Sequence, residues 1–286
     1  MRLSKGSFFL TAGLCRDPRR LDSHAGLTPN SSMTTAFHSP TLDPAEVDRF
    51  RKLADDWWDP KGRMRPLHEI APTRLGYIRA EACRHFGRDV RAMRALDGLS
   101  VLDIGCAVGL VAEPVARMGS RVTGIDPGAE LIAAARAHAG TSSLAIDYRN
   151  ARAEDLAAAS ETFDMVLCLE VVEHVPDVGA FLATCGKLVA PGGLMIVSTI
   201  NRTLKAFALA IVGAEYVLRW LPRGTHEWSR FVTPDELAGH FRAGGLVPGK
   251  PRGMMFNPLA AGWSLSSDSD VNYFLSAAKP NAVVPP

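Results

Sequence analysis

A chain of 286 residues, 47% hydrophobic and 22% charged, is long enough for one large globular domain with appendages. Its formal charge of +2 provides no strong basic field, so nothing points to nucleic acid as a partner. Five scattered cysteines (Cys15, Cys83, Cys106, Cys168, Cys185) lack paired metal-ligand spacing and read as reduced thiols in a reducing compartment.

Residues 1–42 read as a poorly ordered extension or a targeting segment. Arg2, Lys5, Arg16, Arg19 and Arg20 face only Asp17 and Asp22, and Phe8-Phe9-Leu10 is too short for a signal-peptide core. One explanation is a tail from an upstream start codon, with Met33 as the true start. The other is an organellar transit peptide. The folded domain is expected over residues 43–280, with N-terminal helices over 43–90, an insertion at 201–227 and a flexible tail at 281–286.

Asp43, Pro44 and Glu46 have the order of an N-cap, a first helical residue and a capping box. Val47, Phe50, Leu53, Ala54 and Trp57 then recur at helical spacing. Trp57 and Trp58 are adjacent and cannot face the same core; one lines a groove or lid, or packs against the main domain. A second helix is expected from about Pro66 to Phe86. Arg74, near its expected beginning, opposes the helix dipole unless an anion such as a cofactor carboxylate compensates. The plain alternative is a surface arginine.

Residues 101–126 organise the rest. An apolar run ends in Asp103, turns at Gly105 and Gly109, and enters a helix; a second apolar run ends in Asp126. This is a β-loop-α-β unit of a doubly wound α/β sheet, with a nucleotide-sized ligand over the loop. Gly105 permits a tight turn, and Asp126 can accept hydrogen bonds from both hydroxyls of a ribose. A dinucleotide site prefers G-x-G-x-x-G, whereas this loop reads Asp103-Ile104-Gly105-Cys106-Ala107-Val108-Gly109. An acid before the first glycine is awkward beside a diphosphate and suits a ligand with a positive centre, such as S-adenosylmethionine. NAD is thereby disfavoured.

A helix over about 128–138 and a third strand over 144–149 follow. Glu154 and Asp155, beyond that strand, are candidates to face the adenine amino group. The fourth strand, 163–169, is almost continuously apolar, as a central parallel strand should be. After it come Glu170, Glu173 and His174, which on one helical turn would converge on one face. They could bind a divalent cation, or His174 could act as general base; the bland alternative is a capped turn. A helix over 177–188, a turn at 190–193 and a fifth strand at 194–199 follow.

The 201–227 insertion holds an apolar stretch far below the roughly 20 residues that span a bilayer. Lys205, Arg219, Arg223 and Trp220 flank it, so it either lies on a membrane or packs as a lid. Thr233, Pro234 and Glu236 mark a helix to about Gly244. Strands at 247–253 and 272–278 close the sheet, and residues 254–257 either line a hydrophobic pocket or pack in the core.

These motifs together resemble the bacterial ubiquinone-biosynthesis O-methyltransferase family and its mitochondrial relative, within the class I S-adenosylmethionine-dependent methyltransferases. The resemblance covers about residues 47–279. It rests on Trp57-Trp58-Asp59, Pro66-Leu67-His68, Arg74-Leu75-Gly76-Tyr77-Ile78 and the 101–106 loop. It continues through residues 170–176, Pro191-Gly192-Gly193, 198–202, 212–216, Gly224-Thr225-His226 and Asp270-Val271-Asn272-Tyr273.

The resemblance implies a Rossmann-like, mostly parallel seven-stranded sheet with helices on both faces. It implies that Arg74, Gly105, Asp126 and Leu169 contact S-adenosylmethionine; Asp103 and Glu154 join the expected cofactor site on their own places, before the first glycine and beyond the third strand. It implies that Glu170, Glu173 and His174 form a catalytic cluster that binds Mg²⁺ or a similar ion. The substrates it implies are polyprenylated catechol and demethylubiquinol intermediates. Partners would be a membrane surface or other ubiquinone-biosynthesis proteins, with the enzyme peripheral to the bacterial inner membrane or on the mitochondrial matrix side. Two departures stand out: Ala107 and Val108 replace usual glycines, and Leu169 replaces a common Met. Rival readings are a methyltransferase for another small phenol or carboxylate, and a non-catalytic cofactor-binding scaffold.

Overall fold

The computed structural model describes residues 43, 47–48, 57–62, 64–209, 228–257 and 262–282. The expected extension before Asp43, most of the helix after it and residues 210–227 of the insertion lie outside the described residues. In chain order the elements are α1 (Arg65–Phe86), β1 (Ser100–Ile104), α2 (Ala112–Arg117), β2 (Arg121–Asp126), α3 (Ala129–Thr141), β3 (Asp147–Asn150), α4 (Ala153–Ala158) and β4 (Phe163–Leu169). After a 3₁₀ turn at Val172–His174 come α5 (Val178–Leu188), β5 (Val189–Ile200), α6 (Leu204–Ala206), α7 (Pro234–Ala243), β6 (Val247–Pro248), β7 (Arg252–Asn257), β8 (Gly262–Ser266) and β9 (Asn272–Ala278).

The strands form one sheet in the order β3-β2-β1-β4-β5-β9-β7-β8, with β6 beside β9. Strands β1 to β5 run parallel, and β9 enters antiparallel against β5. The strand order reverses between β1 and β4, so the crevice for a ligand opens above their carboxyl ends. The expected fold class holds. The sheet has more than seven strands because the 247–253 stretch breaks into β6 and β7, and β8 hairpins back on β7. Pro251, in the break, has no amide to donate to a ladder.

Local signals explain the elements that position the site. Glu236 N–H donates to Thr233 Oγ1 at 3.3 Å and Thr233 N–H to Glu236 Oε2 at 2.9 Å, closing the capping box of α7. Asp177 Oδ1 caps α5 by accepting from Ala180 N–H at 2.9 Å. Strand β5 starts earlier than expected, at Val189. Residues 190–193 form an irregularity within it, where pairing with β4 jumps from Phe163↔Val189 to Met165↔Leu194.

Side chains alternate between two cores. Met165, Leu167, Leu169, Leu194 and Ile196 face the side covered by α1, α2 and α3. Val166, Cys168, Met195 and Val197 face the side covered by α4, α5 and α7. That period of two decides where the residues at the strand ends point.

Candidate active site

The loop after β1 turns through Gly105 at φ +70° and Gly109 at φ +92°, as the glycines suggested. A side chain at Gly105 would meet Val171 Cγ2 at 2.6 Å, and one at Gly109 would meet the Tyr148 hydroxyl at 2.0 Å. Tyr148, on β3, therefore lies directly beneath the loop. Ala107 also takes a positive φ, +45°, a conformation that is strained for a residue with a Cβ. Asp126 supports it from below: Oδ2 accepts from Ala107 N–H at 3.1 Å and Oδ1 from Gly128 N–H at 2.8 Å. Each oxygen keeps a further lone pair. Burial pushes the Asp126 carboxyl up to about 6, the two backbone donors pulling against it.

Asp103, the last residue but one of β1, is 3% exposed, and its Oδ2 has no hydrogen-bond partner. Burial pushes this carboxyl up to about 7; Arg74 pulls it down and Asp126 adds to the rise. A buried, unpartnered acceptor beside the loop is what a cationic ligand would satisfy.

The structure corrects the expected place of Arg74 near a helix start and its reading as a surface arginine. The helix begins at Arg65, so Arg74 lies in the middle of α1 rather than near its start, and it is buried. Within the protein it faces a carboxylate: Nη2 donates to Glu170 Oε1 at 3.3 Å. Its Nε has no partner.

Glu170, Glu173 and His174 follow β4, but not as the one-faced helical turn expected of them. Glu170 adopts φ +55°, and only Val172–His174 form a 3₁₀ turn. Ser198 Oγ donates to Glu170 Oε1 at 2.7 Å, and Thr199 Oγ1 to Glu173 Oε2 at 2.9 Å. Ser198 and Thr199 are neighbours on β5, and neighbours on a strand point to opposite faces. Their partners on β9, Phe274 and Tyr273, lie in the two different cores. The two carboxylates are thus held toward opposite faces of the sheet edge. Among the described residues no group of three or more His, Cys, Asp or Glu is arranged to hold a metal ion. As placed, this trio does not fit one. Burial, then the Glu170 charge, raises Glu173 above the usual carboxylate range, while His174 and Thr199 pull it down. His174 is half-buried at the crevice.

Leu169 is the last residue of β4 and is buried in the α1-side core. Glu154 lies half-buried in the first turn of α4, its charge felt at the Cys185 thiol on α5. Asp155, the other candidate there, is exposed and engaged by Arg152 in a capping box. Of residues 254–257, Met254 is buried in the core, whereas Met255 and Phe256 are exposed on β7. The four described cysteines are free and buried.

Tyr148, Ser198 and Thr199 were not singled out individually by sequence. The tyrosine in a short strand gave no signal that two glycines, Gly109 and Gly124, make room for its ring. Ser198 and Thr199 stood in the family motif without a role attached.

Residues 102–197 match the family model of a methyltransferase domain. The chain is 57% identical over 235 residues to the ubiquinone biosynthesis O-methyltransferase of Azorhizobium caulinodans, covering 82% of this chain and 93% of that protein. It is 56% identical over 247 residues to the enzyme of the same name from Bradyrhizobium diazoefficiens, covering 86% and 97%. Among solved structures, a magnesium protoporphyrin IX methyltransferase from Synechocystis with bound SAH shares the fold. Its TM-score is 0.56 at 19% identity, over 82% of this chain and 95% of that one. A possible histamine N-methyltransferase from Thermotoga maritima gives TM-score 0.56 at 16% identity, over 82% and 99%. With the glycine loop, the strand-tip acids and this identity along nearly the whole length of the relatives, the chain belongs to the ubiquinone biosynthesis O-methyltransferase family, a family of S-adenosylmethionine-dependent enzymes.

Proposed function

We propose that this enzyme transfers the S-adenosylmethionine methyl group to a ring hydroxyl of polyprenylated catechol and demethylubiquinol intermediates of ubiquinone biosynthesis. The observation that carries the reading is His174 at the crevice beside the cofactor loop, with Glu173 buried next to it, in a chain so similar to enzymes of that name.

A phenol of pKa about 10 is mostly protonated at neutral pH and is a poor nucleophile. His174 takes the hydroxyl proton, and the Glu173 charge next to it stabilises the resulting imidazolium. The oxygen then attacks the methyl carbon opposite the sulfur. The O–C bond forms as the C–S bond breaks, and the electron pair leaves on sulfur to give S-adenosylhomocysteine. Because the sulfonium is already a good leaving group, the protein contributes mainly by positioning. Asp126 receives the ribose hydroxyls, the unpartnered Oδ2 of Asp103 the cofactor's ammonium, and the unpartnered Nε of Arg74 its carboxylate. Gly105 gives the cofactor close approach to the loop backbone, Leu169 packs at its edge, and Glu154 accepts from the adenine amino group.

A second reading places a divalent cation on Glu170, Glu173 and His174. It is favoured by the Glu170 charge, which after burial helps hold Glu173 above the usual carboxylate range and which a cation would offset. It requires Glu173 to give up its Thr199 hydrogen bond. Methyl transfer to a prenylated catechol, run with and without chelator, separates the two. Turnover that survives chelation assigns the proton to His174; turnover lost to chelator and restored by Mg²⁺ assigns the cation.

A polyprenyl substrate resides in a membrane, so the enzyme must reach it there. Among the described residues no helix is long and apolar enough to cross one. Exposed Leu204, Phe207 and Leu209 lead into the apolar insertion, and exposed Trp228 stands just beyond it. They support a peripheral contact on this side.

A further inference from the structure

Trp58 stacks on His138 of α3 with ring centroids 3.4 Å apart and planes within 7°. His138 is fixed from its other side, Nδ1 lying 2.5 Å from Glu113 Oε1 on α2. Glu113 is fully buried, and its second oxygen accepts from Arg117 at 3.0 Å. The imidazole is therefore oriented by a carboxylate that is itself held, and it presents a flat face to the tryptophan.

The neighbouring Trp57 is buried, and His68 Nε2 donates to its carbonyl oxygen at 2.8 Å. Trp57 packs with Met64 against Ala107 and Val108 of the cofactor loop and against Leu131 of α3. Those are the two loop positions where the family resemblance led to glycines. Ala107 is also the loop residue strained at φ +45°, and such strain persists only where the surroundings over-determine it. Asp126 holds Ala107 through its amide, and the Trp57 cluster packs on its side chain.

We infer that Trp58 and His138 form a latch that holds Trp57 against the cofactor loop and so sets the affinity and residence time of S-adenosylmethionine. Neither latch residue belongs to the catalytic cluster; both are positioning residues that act through Trp57 and Ala107. One stacked pair is a modest interaction, which suits a device that must release product cofactor on every turnover. With the stack removed, Ala107 loses part of what enforces its strained conformation, and the loop relaxes away from the geometry that fits the cofactor. The catalytic cluster after β4 keeps its own hydrogen bonds to Ser198 and Thr199.

The test compares Trp58→Ala, Trp58→Phe and His138→Ala in the full-length protein. Readouts are calorimetric binding of S-adenosylmethionine, its dissociation rate, and steady-state kinetics on a phenolic substrate. Trp58→Ala and His138→Ala are expected to weaken cofactor binding about five- to tenfold, the scale of a lost aromatic stack, mainly through faster dissociation. The KM for S-adenosylmethionine should rise in step, with kcat at saturating cofactor and the KM for the phenol unchanged. Trp58→Phe, which keeps a ring to stack, should restore most of the loss. Wild-type cofactor affinity in both alanine variants would overturn the latch. So would a fall in kcat at saturating cofactor without a change in cofactor binding, or a Trp58→Phe protein no better than Trp58→Ala. Should Trp58→Ala fail to fold, His138→Ala carries the same comparison alone.

Discussion

Arg74 and Glu170, 96 residues apart in sequence, meet as a 3.3 Å ion pair over the carboxyl end of β4. The arginine side chain is only 7% exposed, so the pair works in a partly desolvated site. Replacing Arg74 by Ala takes the ion pair from Glu170, which keeps its Ser198 hydrogen bond, and lets Asp103 rise further, since Arg74 holds it down. The expected result is a rise of ten- to a hundredfold in the KM for S-adenosylmethionine, the range for losing a charged hydrogen bond of about 1.5–3 kcal/mol. Arg74→Lys should recover only part, because a lysine cannot serve Glu170 and a cofactor carboxylate with a planar fork. An unchanged cofactor KM in Arg74→Ala would remove Arg74 from the site.

Tyr148 makes the loop sensitive to any side chain at Gly109. A methyl there would meet the tyrosine hydroxyl at 2.0 Å, at a residue with φ +92°. Gly109→Ala is expected to destabilise the fold by about 2–4 kcal/mol and to abolish detectable cofactor binding. Tyr148→Phe should be neutral or slightly stabilising, because the hydroxyl it removes is buried without a partner. Thermal melts of both variants check the pair, and a clearly destabilised Tyr148→Phe would mean that the hydroxyl has a partner.

The raised carboxyls at the cofactor site predict a pH dependence with a definite sign. Unfolded, Asp103 and Asp126 titrate near 4; folded, at about 7 and about 6. The folded protein keeps protons that the unfolded chain has lost. Their contribution to stability is therefore greatest below about pH 4, declines as pH rises toward about 7, and is flat above. A cationic cofactor favours the ionised forms, so its binding lowers both pKa values, releases protons and tightens as pH rises from about 5.5 to 7.5. Titration calorimetry near pH 6.5 in buffers of different ionisation enthalpy reads this directly. A buffer-independent heat would show that neither carboxyl is coupled to the cofactor.

How much of this was legible in sequence differs by range. The fourth strand, Phe163–Leu169, and the capping box of α7 were read to the residue, because each depends on local pattern or local hydrogen bonds. The turn at Gly105 and the places of Asp103 and Asp126 near the carboxyl ends of β1 and β2 were legible because local apolar runs and a glycine fix them. The convergence of Glu170, Glu173 and His174 was not, because it assumed helical periodicity. The positive φ at Glu170 and the alternating directions of Ser198 and Thr199 divide the carboxylates instead. Likewise the burial of Arg74 depends on α1 reaching Glu170, 96 residues further along the chain, a contact that no local pattern announces.

Glu173 offers a test of the catalytic cluster that leaves the cofactor loop alone. Glu173→Gln keeps the shape and an acceptor for Thr199 but removes the charge beside His174. It is expected to lower kcat at least tenfold, within the scale of losing support for a general base, while cofactor affinity changes less than about twofold. Wild-type turnover in this variant would discard the role assigned to Glu173.

The apolar approach to the insertion makes a separate claim about membranes. Replacing Leu204 and Leu209, both exposed, by Glu should leave the fold and activity on a short-tailed catechol intact. Association with vesicles containing anionic lipid, and use of a long-tailed substrate, should fall together. Undiminished vesicle binding would place the contact elsewhere.

The most direct measurement of the central claim follows the methyl group itself. Purified enzyme is given S-adenosylmethionine labelled in the methyl carbon together with a prenylated catechol, and the product is analysed by mass and by position of the label. The account predicts one label per product, on a ring oxygen, with one S-adenosylhomocysteine formed for each. A protein that binds the cofactor yet leaves the catechol unlabelled, or puts the label on carbon, would contradict it.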